Sequence, residues 1–269
     1  MTAGRLVVCP TPIGNLDDVT LRVLEELREA DVVLCEDTRH TRGLLERHGI
    51  DARLLSYHEH NEAARTAELL PRLEAGERIA VVSDAGMPGI SDPGARLVRA
   101  ALDAGIEVTV LPGPSAVETA LVASGLAGAR YAFVGFLPRK AGELQSLWHE
   151  TAEWGCPVVA FESPHRLTAT LRSLAAFDAG REVAVCRELT KRFEEVARGT
   201  AAELAARLVE PPKGEITIVI GAGAAEPDAD EARRAVADLV AAGTPRGVAA
   251  EVVARLTGTS RNDLYRGSL

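Results

Sequence analysis

Short apolar runs rich in Val, Ile and Leu recur along the chain: "RLVVC", "ADVVLC", "RIAVV", "EVTVL", "YAFVGF", "PVVAF", "EVAVC" and "EITIVI". Most are bounded by Gly, Pro or charge and separated by stretches of helical spacing such as "LRVLEELREA". Uninterrupted apolar runs suit strands buried on both faces, so the pattern predicts an α/β architecture with largely parallel strands. The first four runs form one α/β domain, expected over residues 1–116. The helical stretch "VETALVASGLAG" leads into a second, expected over 117–226. The small, acidic stretch Gly221–Asp230 reads as a linker, and 227–269 as a helical tail of two helices and the start of a third.

The polar residues are not scattered. Directly after the apolar runs come "PTPIGN", "EDTRHT", "SDAGMPGISDPG", "PGPSA", "LPRK", "ESPHR", "RELTK" and "GAG". These are the carboxyl ends of strands, where open α/β sheets bind ligands. The stretch from Ser83 to Gly94 is about twice the usual 2–6 residues of a strand-to-helix connection. Asp92-Pro93, Pro114-Ser115 and Ser163-Pro164 read as helix starts, and helix N-termini offer unpaired N–H groups to anions. One or two clefts at these tips are therefore expected.

Composition narrows the picture. Hydrophobic residues make up 46% of the 269, enough for a sizeable core, and no run approaches the ~18 residues of a membrane span. The opening "MTAGRLVVCPTP" lacks the basic and long apolar regions of a leader, so none is expected. Cys9, Cys35, Cys156 and Cys186 lie in or beside apolar runs with no C-x-x-C pair. They read as buried, reduced thiols, which favours a cytoplasmic location. A net charge of −9 argues against a general nucleic-acid coat but not against a local basic site. Only three of the 30 basic residues are lysines, namely Lys140, Lys191 and Lys213, which suggests positions where a compact amine is wanted. From Asp228 onward, six arginines balance six acids, so the tail is not a basic clamp.

Several motifs are absent or incomplete. There is no P-loop and no G-x-S-x-G elbow, and "GAGAA" at Gly221 completes no dinucleotide fingerprint. His58 and His60 in "YHEHNE" would share one face of a strand, but no further His or Cys cluster joins them. No metal is expected, and a polar contact surface or a structural network is the better reading. Glu36 and Asp37 offer paired acids, against the plainer reading of a capped helix start. Arg187, Glu188 and Lys191 offer a second charged tip, equally readable as an internal ion pair.

Taken together, "TPIGNLDDVTLR", "EDTRHT", "HEHNE", "SDAGMPGISDPG", "PGPSA", "GFLPRK", "ESPHRL" and "RELTK" resemble the RsmI-type 16S ribosomal RNA (cytidine-1402) 2′-O-methyltransferases of the tetrapyrrole methylase superfamily. The resemblance runs from about Leu6 to Ile220, and "GVAAEVVARLTGTSRNDLYRGSL" resembles that family's C-terminal extension. Met87 stands where the pattern leads one to expect Thr, and Phe161 where it leads one to expect Tyr.

The resemblance implies two α/β domains, S-adenosyl-L-methionine in the cleft between them, a homodimer, and a 16S ribosomal RNA or small-subunit substrate. Carried over by motif, it implies cofactor contacts from Pro12, Ser83, Asp84, Ala85, Pro88, Ser115, Ala116, Glu162 and Arg187. For the proton of the attacking hydroxyl, Asp37 and a neutral Lys191 are the candidate catalytic groups. Arg39, Lys140, Arg166 and Lys191 are the candidates for RNA phosphate contacts. A tetrapyrrole (precorrin-type) methyltransferase and a non-catalytic ribosome-binding module remain as alternatives.

Overall fold

The computed structural model describes residues 4–223 and 229–267. By its contacts the chain divides into two compact units. One comprises the residues up to Lys140 together with Pro157–Gly221; the other comprises Ala141–Cys156 and the residues from Ala222 on.

The first unit holds two five-stranded sheets. In the first sheet β1 (Arg5–Val8), β2 (Val32–Cys35), β3 (Leu54–Ser56), β4 (Arg78–Val81) and β5 (Glu107–Val110) lie in the order β3-β2-β4-β1-β5, all parallel. Alternate side chains explain the unbroken apolar runs. Leu6, Leu34, Ile79 and Val81 face one core with Leu69, Leu73, Leu97 and Ala101, from α3 (Glu62–Glu74) and α4 (Ala95–Asp103). Val7, Val33, Ala80 and Val82 face the other with Val23, Leu27 and Leu45, from α1 (Leu21–Glu29) and α2 (Thr38–Arg47). Both faces of the sheet are thus buried, as the sequence pattern demands.

The second sheet holds β6 (Ala132–Phe136), β7 (Val158–Glu162), β8 (Glu182–Arg187), β9 (Glu195–Thr200) and β10 (Ile216–Ile220) in the order β6-β7-β10-β8-β9. Here the expectation of largely parallel strands fails. Only β6 and β7 pair in parallel, while β10 runs antiparallel to both β7 and β8, and β8 to β9. One face packs on α5 (Ala116–Ser124) through Val117, Ala120 and Leu121, against Val159, Ala184, Cys186 and Val219. Helices α7 (Leu167–Phe177) and α8 (Ala201–Arg207) complete this half, α8 opening on a Thr200–Glu203 capping box.

The other unit holds α6 (Ala141–Glu153), α9 (Ala229–Ala241), α10 (Arg246–Thr257) and α11 (Arg261–Gly267). Its tail helices close on a small core of Ala232, Val236, Ala249, Ala250, Val253 and Leu264, so the expected start of a third helix is a full helix. The linker expected over Gly221–Asp230, and with it "GAGAA", lies partly outside the described residues. Cys9, Cys35 and Cys186 are buried free thiols, and burial pushes Cys9 up to about 12, whereas Cys156 is only partly buried. Among the described residues no helix is long and apolar enough to cross a membrane.

Candidate functional site

The strand tips converge as expected. A largely apolar cavity of about 610 Å³ takes residues from Ile13, through Asp84–Met87 and Ser115–Glu118, to Phe161–Pro164 and Gly214–Thr217. A second, more open and polar recess of about 560 Å³ is lined by "EDTR", by His58, Glu59 and His60, and again by Asp84. Asp84 is therefore a wall shared by both. Its Oδ1 accepts the backbone N–H of Asp37 at 3.1 Å, which ties the β2 tip to the β4 tip.

The loop from Ser83 to Gly94 is held rather than loose. The Thr11 and Gly86 backbones exchange hydrogen bonds of 2.9 and 3.0 Å, the Ser83 hydroxyl donates to the Gly86 carbonyl at 2.9 Å, and the Thr11 hydroxyl donates to the Ser83 carbonyl at 2.9 Å. Gly86, Gly89 and Gly94 take positive φ, as does Ser91 at +61°. The loop folds back on itself along the cavity because glycine tolerates such turns. The helix after it starts at Ala95 with Gly94 as its cap, so Asp92 is not the cap. Released from that task, Asp92 lines the cavity, and burial followed by the neighbouring charges of Glu36 and Asp84 pushes its carboxyl up to about 6.

The residues carried over for the cofactor divide into two groups. Asp84, Ala85, Ser115, Ala116 and Glu162 line the cavity; Pro12, Ser83, Pro88 and Arg187 do not. Ser83 is buried and shapes the loop from behind. Arg187 donates to Glu195 at 3.0 and 3.2 Å and to the Lys213 carbonyl, a tie between β8 and its neighbours. Buried Glu162 has both oxygens engaged, by the Ser163 N–H at 2.7 Å and the Thr170 hydroxyl at 2.5 Å. It orders the "ESPHR" tip. That tip is a turn, and the helix begins only at Leu167, so Ser163-Pro164 is not its start. Ser115 does occupy the cap position of α5, where its hydroxyl donates to Glu118. Met87 and Phe161, the two departures from the family pattern, both face the apolar cavity.

Both candidate bases are committed elsewhere. Asp37 caps α2 and chelates Arg39 through both oxygens, at 2.7–3.1 Å. The Arg39 side chain and then its N–H hold the Asp37 carboxyl far below the usual range, which makes it a weak proton acceptor. Lys191 donates to Glu188 and to Glu215, each at 3.0 Å. Burial lowers its pKa, but the two carboxylates outweigh burial and the net shift is upward. The ion pair, which the sequence left as the alternative to a neutral amine, is what forms, and it favours the charged lysine. Of the phosphate candidates, Arg39 is exposed and Lys140 lies in an exposed turn after β6, while Arg166 is spent on the Leu137 and Pro138 carbonyls.

Two contributions were not visible in the sequence. One is Asp92. The other is Gly214–Thr217, because β10 runs antiparallel and brings its beginning, not its "GAG" end, beside the tips of β7 and β8: Ile216 pairs with both Glu162 and Arg187. His58 and His60 sit in the turn between β3 and α3, not on a strand, with rings 5.9 Å apart. Their neighbour Glu62 accepts from the Tyr57 hydroxyl at 3.0 Å and from the Gly94 N–H at 3.1 Å, so "HEHNE" also braces the end of the cavity loop.

Residues 5–205 match the Tetrapyrrole (Corrin/Porphyrin) Methylases. Proteins called "Ribosomal RNA small subunit methyltransferase I" are similar over nearly the whole chain. The one from Micromonospora olivasterospora is 45% identical over 98% of this chain and 86% of its own. The one from Synechocystis is 44% identical over 99% and 98%. Among solved structures, a diphthine synthase matches with a TM-score of 0.63 at 17% identity, over 81% of this chain and 90% of that one. A uroporphyrin-III-C-methyltransferase from Thermus thermophilus matches with 0.57 at 23% identity, over 81% and 94%. Likeness at these identities concerns the fold.

Proposed function

From the premise that the chain belongs to the tetrapyrrole (corrin/porphyrin) methylase family, and within it to the ribosomal RNA small subunit methyltransferase I proteins, we propose that it methylates a ribose 2′-hydroxyl of small-subunit ribosomal RNA, at the cytidine numbered 1402 in 16S RNA. The single observation that carries this reading is the pairing of an apolar, small-molecule-sized cavity with a polar recess across one residue, Asp84. One compartment suits the methyl donor and the other a nucleotide.

The cavity fits S-adenosylmethionine. Its volume lies in the range of small-molecule sites. The start of α5, at Ser115 and Ala116, opens onto it with backbone N–H groups that lack intrahelical acceptors. Asp84 and Asp92 supply the negative charge that a sulfonium cation prefers. When bound, the molecule supplies an already activated methyl group. The chain's share is alignment, which alone removes much of a barrier, and a place for the hydroxyl proton. Asp92 is that place. It is ionised above about pH 6, it faces the cavity, and its side chain has no hydrogen-bond partner among the described residues. Burial, then the charges of Glu36 and Asp84, keep its proton affinity up, whereas Arg39 holds that of Asp37 down.

Arg39 and Lys140 remain the phosphate contacts of this reading; a homodimer and a cytoplasmic location accompany it. The test is to map ribose methylation on small-subunit RNA from cells with and without the protein, and after adding it back in vitro. Loss and restoration at one cytidine supports the reading. Methyl transfer to a precorrin-type macrocycle with none to RNA overturns it.

A further inference from the structure

The loop between β8 and β9 is built in an unusual way. Glu188 and Thr190 both hold left-handed backbone, at φ +51° and +64°, with no glycine between them. Such a conformation in a β-branched residue persists only where its surroundings impose it. The surroundings are explicit. The Asn15 N–H donates to the Thr190 hydroxyl at 3.0 Å, the Thr190 N–H donates to Glu194 at 2.6 Å, and the Lys191 N–H donates to the Glu188 carbonyl at 2.9 Å. Glu188 in turn accepts the Glu215 N–H at 3.0 Å.

This rigid loop ends in an exposed aromatic. Phe193 leaves 66% of its surface in water, with the Arg192 guanidinium 5.5 Å from its ring centre. Arg192 has no carboxylate partner among the described residues, unlike Lys191 beside it. Leu189, four residues earlier, lines the cavity, so the ring stands within about 14 Å of chain from the proposed site. A phenyl ring held out in water on a strained, pinned loop, flanked by an unspent guanidinium, contributes nothing to the core. It has the chemistry of a stacking platform for an unpaired base, with the cation for the adjoining phosphate.

We propose that Phe193 and Arg192 form a docking platform for single-stranded RNA, the ring stacking one unpaired base that flanks the target nucleotide. The proposal rests on the RNA-methylating function above and adds a site to it. An unpaired base is required because a base inside a duplex has no free face.

The test uses the full chain and a short single-stranded RNA carrying 2-aminopurine at successive positions. The wild-type protein is expected to quench the fluorophore at one position through stacking. Phe193→Ala should abolish that quench and weaken RNA binding roughly tenfold. Phe193→Trp should retain both, and Phe193→Leu, apolar but without a comparable π-face, should behave like the alanine variant. Affinity for S-adenosylmethionine and the thermal transition should not move, since Phe193 is neither in the cavity nor in the core. Equal RNA affinity of Phe193→Ala and wild type, or equal affinity for the single strand and its duplex, overturns the platform. So does a dimer-to-monomer change in sedimentation on Phe193→Ala, which makes a second copy of the chain the occupant. Methylation of ribosomal RNA by the wild type, measured in parallel, separates the two readings. If it is present while Phe193→Ala binds normally, only the platform fails; if it is absent, the function above fails and the platform with it.

Discussion

Asp92, the base of the proposed reaction, belongs to no motif that marks it as one. Burial and the nearby negative charges raise its pKa to about 6, so it carries a proton below that pH and accepts one above it. Methyl transfer should therefore rise with pH through about 6 and level off. Asp92→Asn should remove that acid limb and lower kcat by about 10²–10⁴-fold, and, since it also removes one of the two charges facing the sulfonium, weaken S-adenosylmethionine binding by a smaller factor, as a pH–rate profile and calorimetry would reveal. A limb that survives in the variant belongs to another group. Lys191 teaches the opposite lesson. Its ammonium sits between Glu188 and Glu215, and Lys191→Arg keeps the charge those carboxylates need. Turnover should stay within about threefold of wild type, because partly exposed pairs are worth only ~0–1 kcal/mol and no proton transfer is lost. Loss of turnover with intact RNA binding would restore Lys191 to the chemistry.

Between elements, the decisive contact joins the turn after β1 to the loop after β8. A Cβ on Gly14 would lie 2.5 Å from the Lys191 Cγ and 2.9 Å from the Leu189 carbonyl oxygen. No side chain fits unless the two loops part. Their neighbours Ile13 and Leu189 line the cavity and pack in the same apolar cluster, so parting the loops widens the site. Gly14→Ala should lower stability by about 1–3 kcal/mol and weaken S-adenosylmethionine binding, both readable from thermal unfolding with and without ligand. Gly43, inside α2 and with nothing within 4 Å of an added Cβ, is the control: Gly43→Ala should leave ligand binding unchanged and raise stability by about 0.5–1 kcal/mol through helix propensity alone.

Across the whole molecule, every residue lining the cavity lies between Ile13 and Thr217, within the first of the two units. A chain ending after Ala222 should therefore still bind S-adenosylmethionine, measured by calorimetry against the full chain. Loss of binding in a folded truncation would give the tail helices a part in the site. With a net charge of −9, the protein cannot attract RNA by its surface at large. On the proposed function, recognition would rest on local cations, with Arg39, Lys140 and Arg192 as the proposed ones, and on stacking.

Much of this was legible in the chain. Strands buried on both faces are uninterrupted apolar runs, so β1, β2, β4 and β7 announce themselves. Several of the polar tips after them line the cavity and the recess beside it. β3, only three residues long, and β9, whose "EVARGT" lies at the sheet edge with Ala197 alone buried, carry no such signature and are not marked by the sequence. The direction of β10 was equally hidden, since an apolar run reads the same for parallel and antiparallel pairing; its direction nevertheless puts Gly214–Thr217 into the cavity. The roles of Asp37, Asp92 and Lys191 were assigned by folding. Local period is written in neighbouring residues, whereas the proton affinity of a side chain depends on the burial and the charges that the fold brings to it: burial, then Glu36 and Asp84, for Asp92, and Glu215 beside the local Glu188 for Lys191.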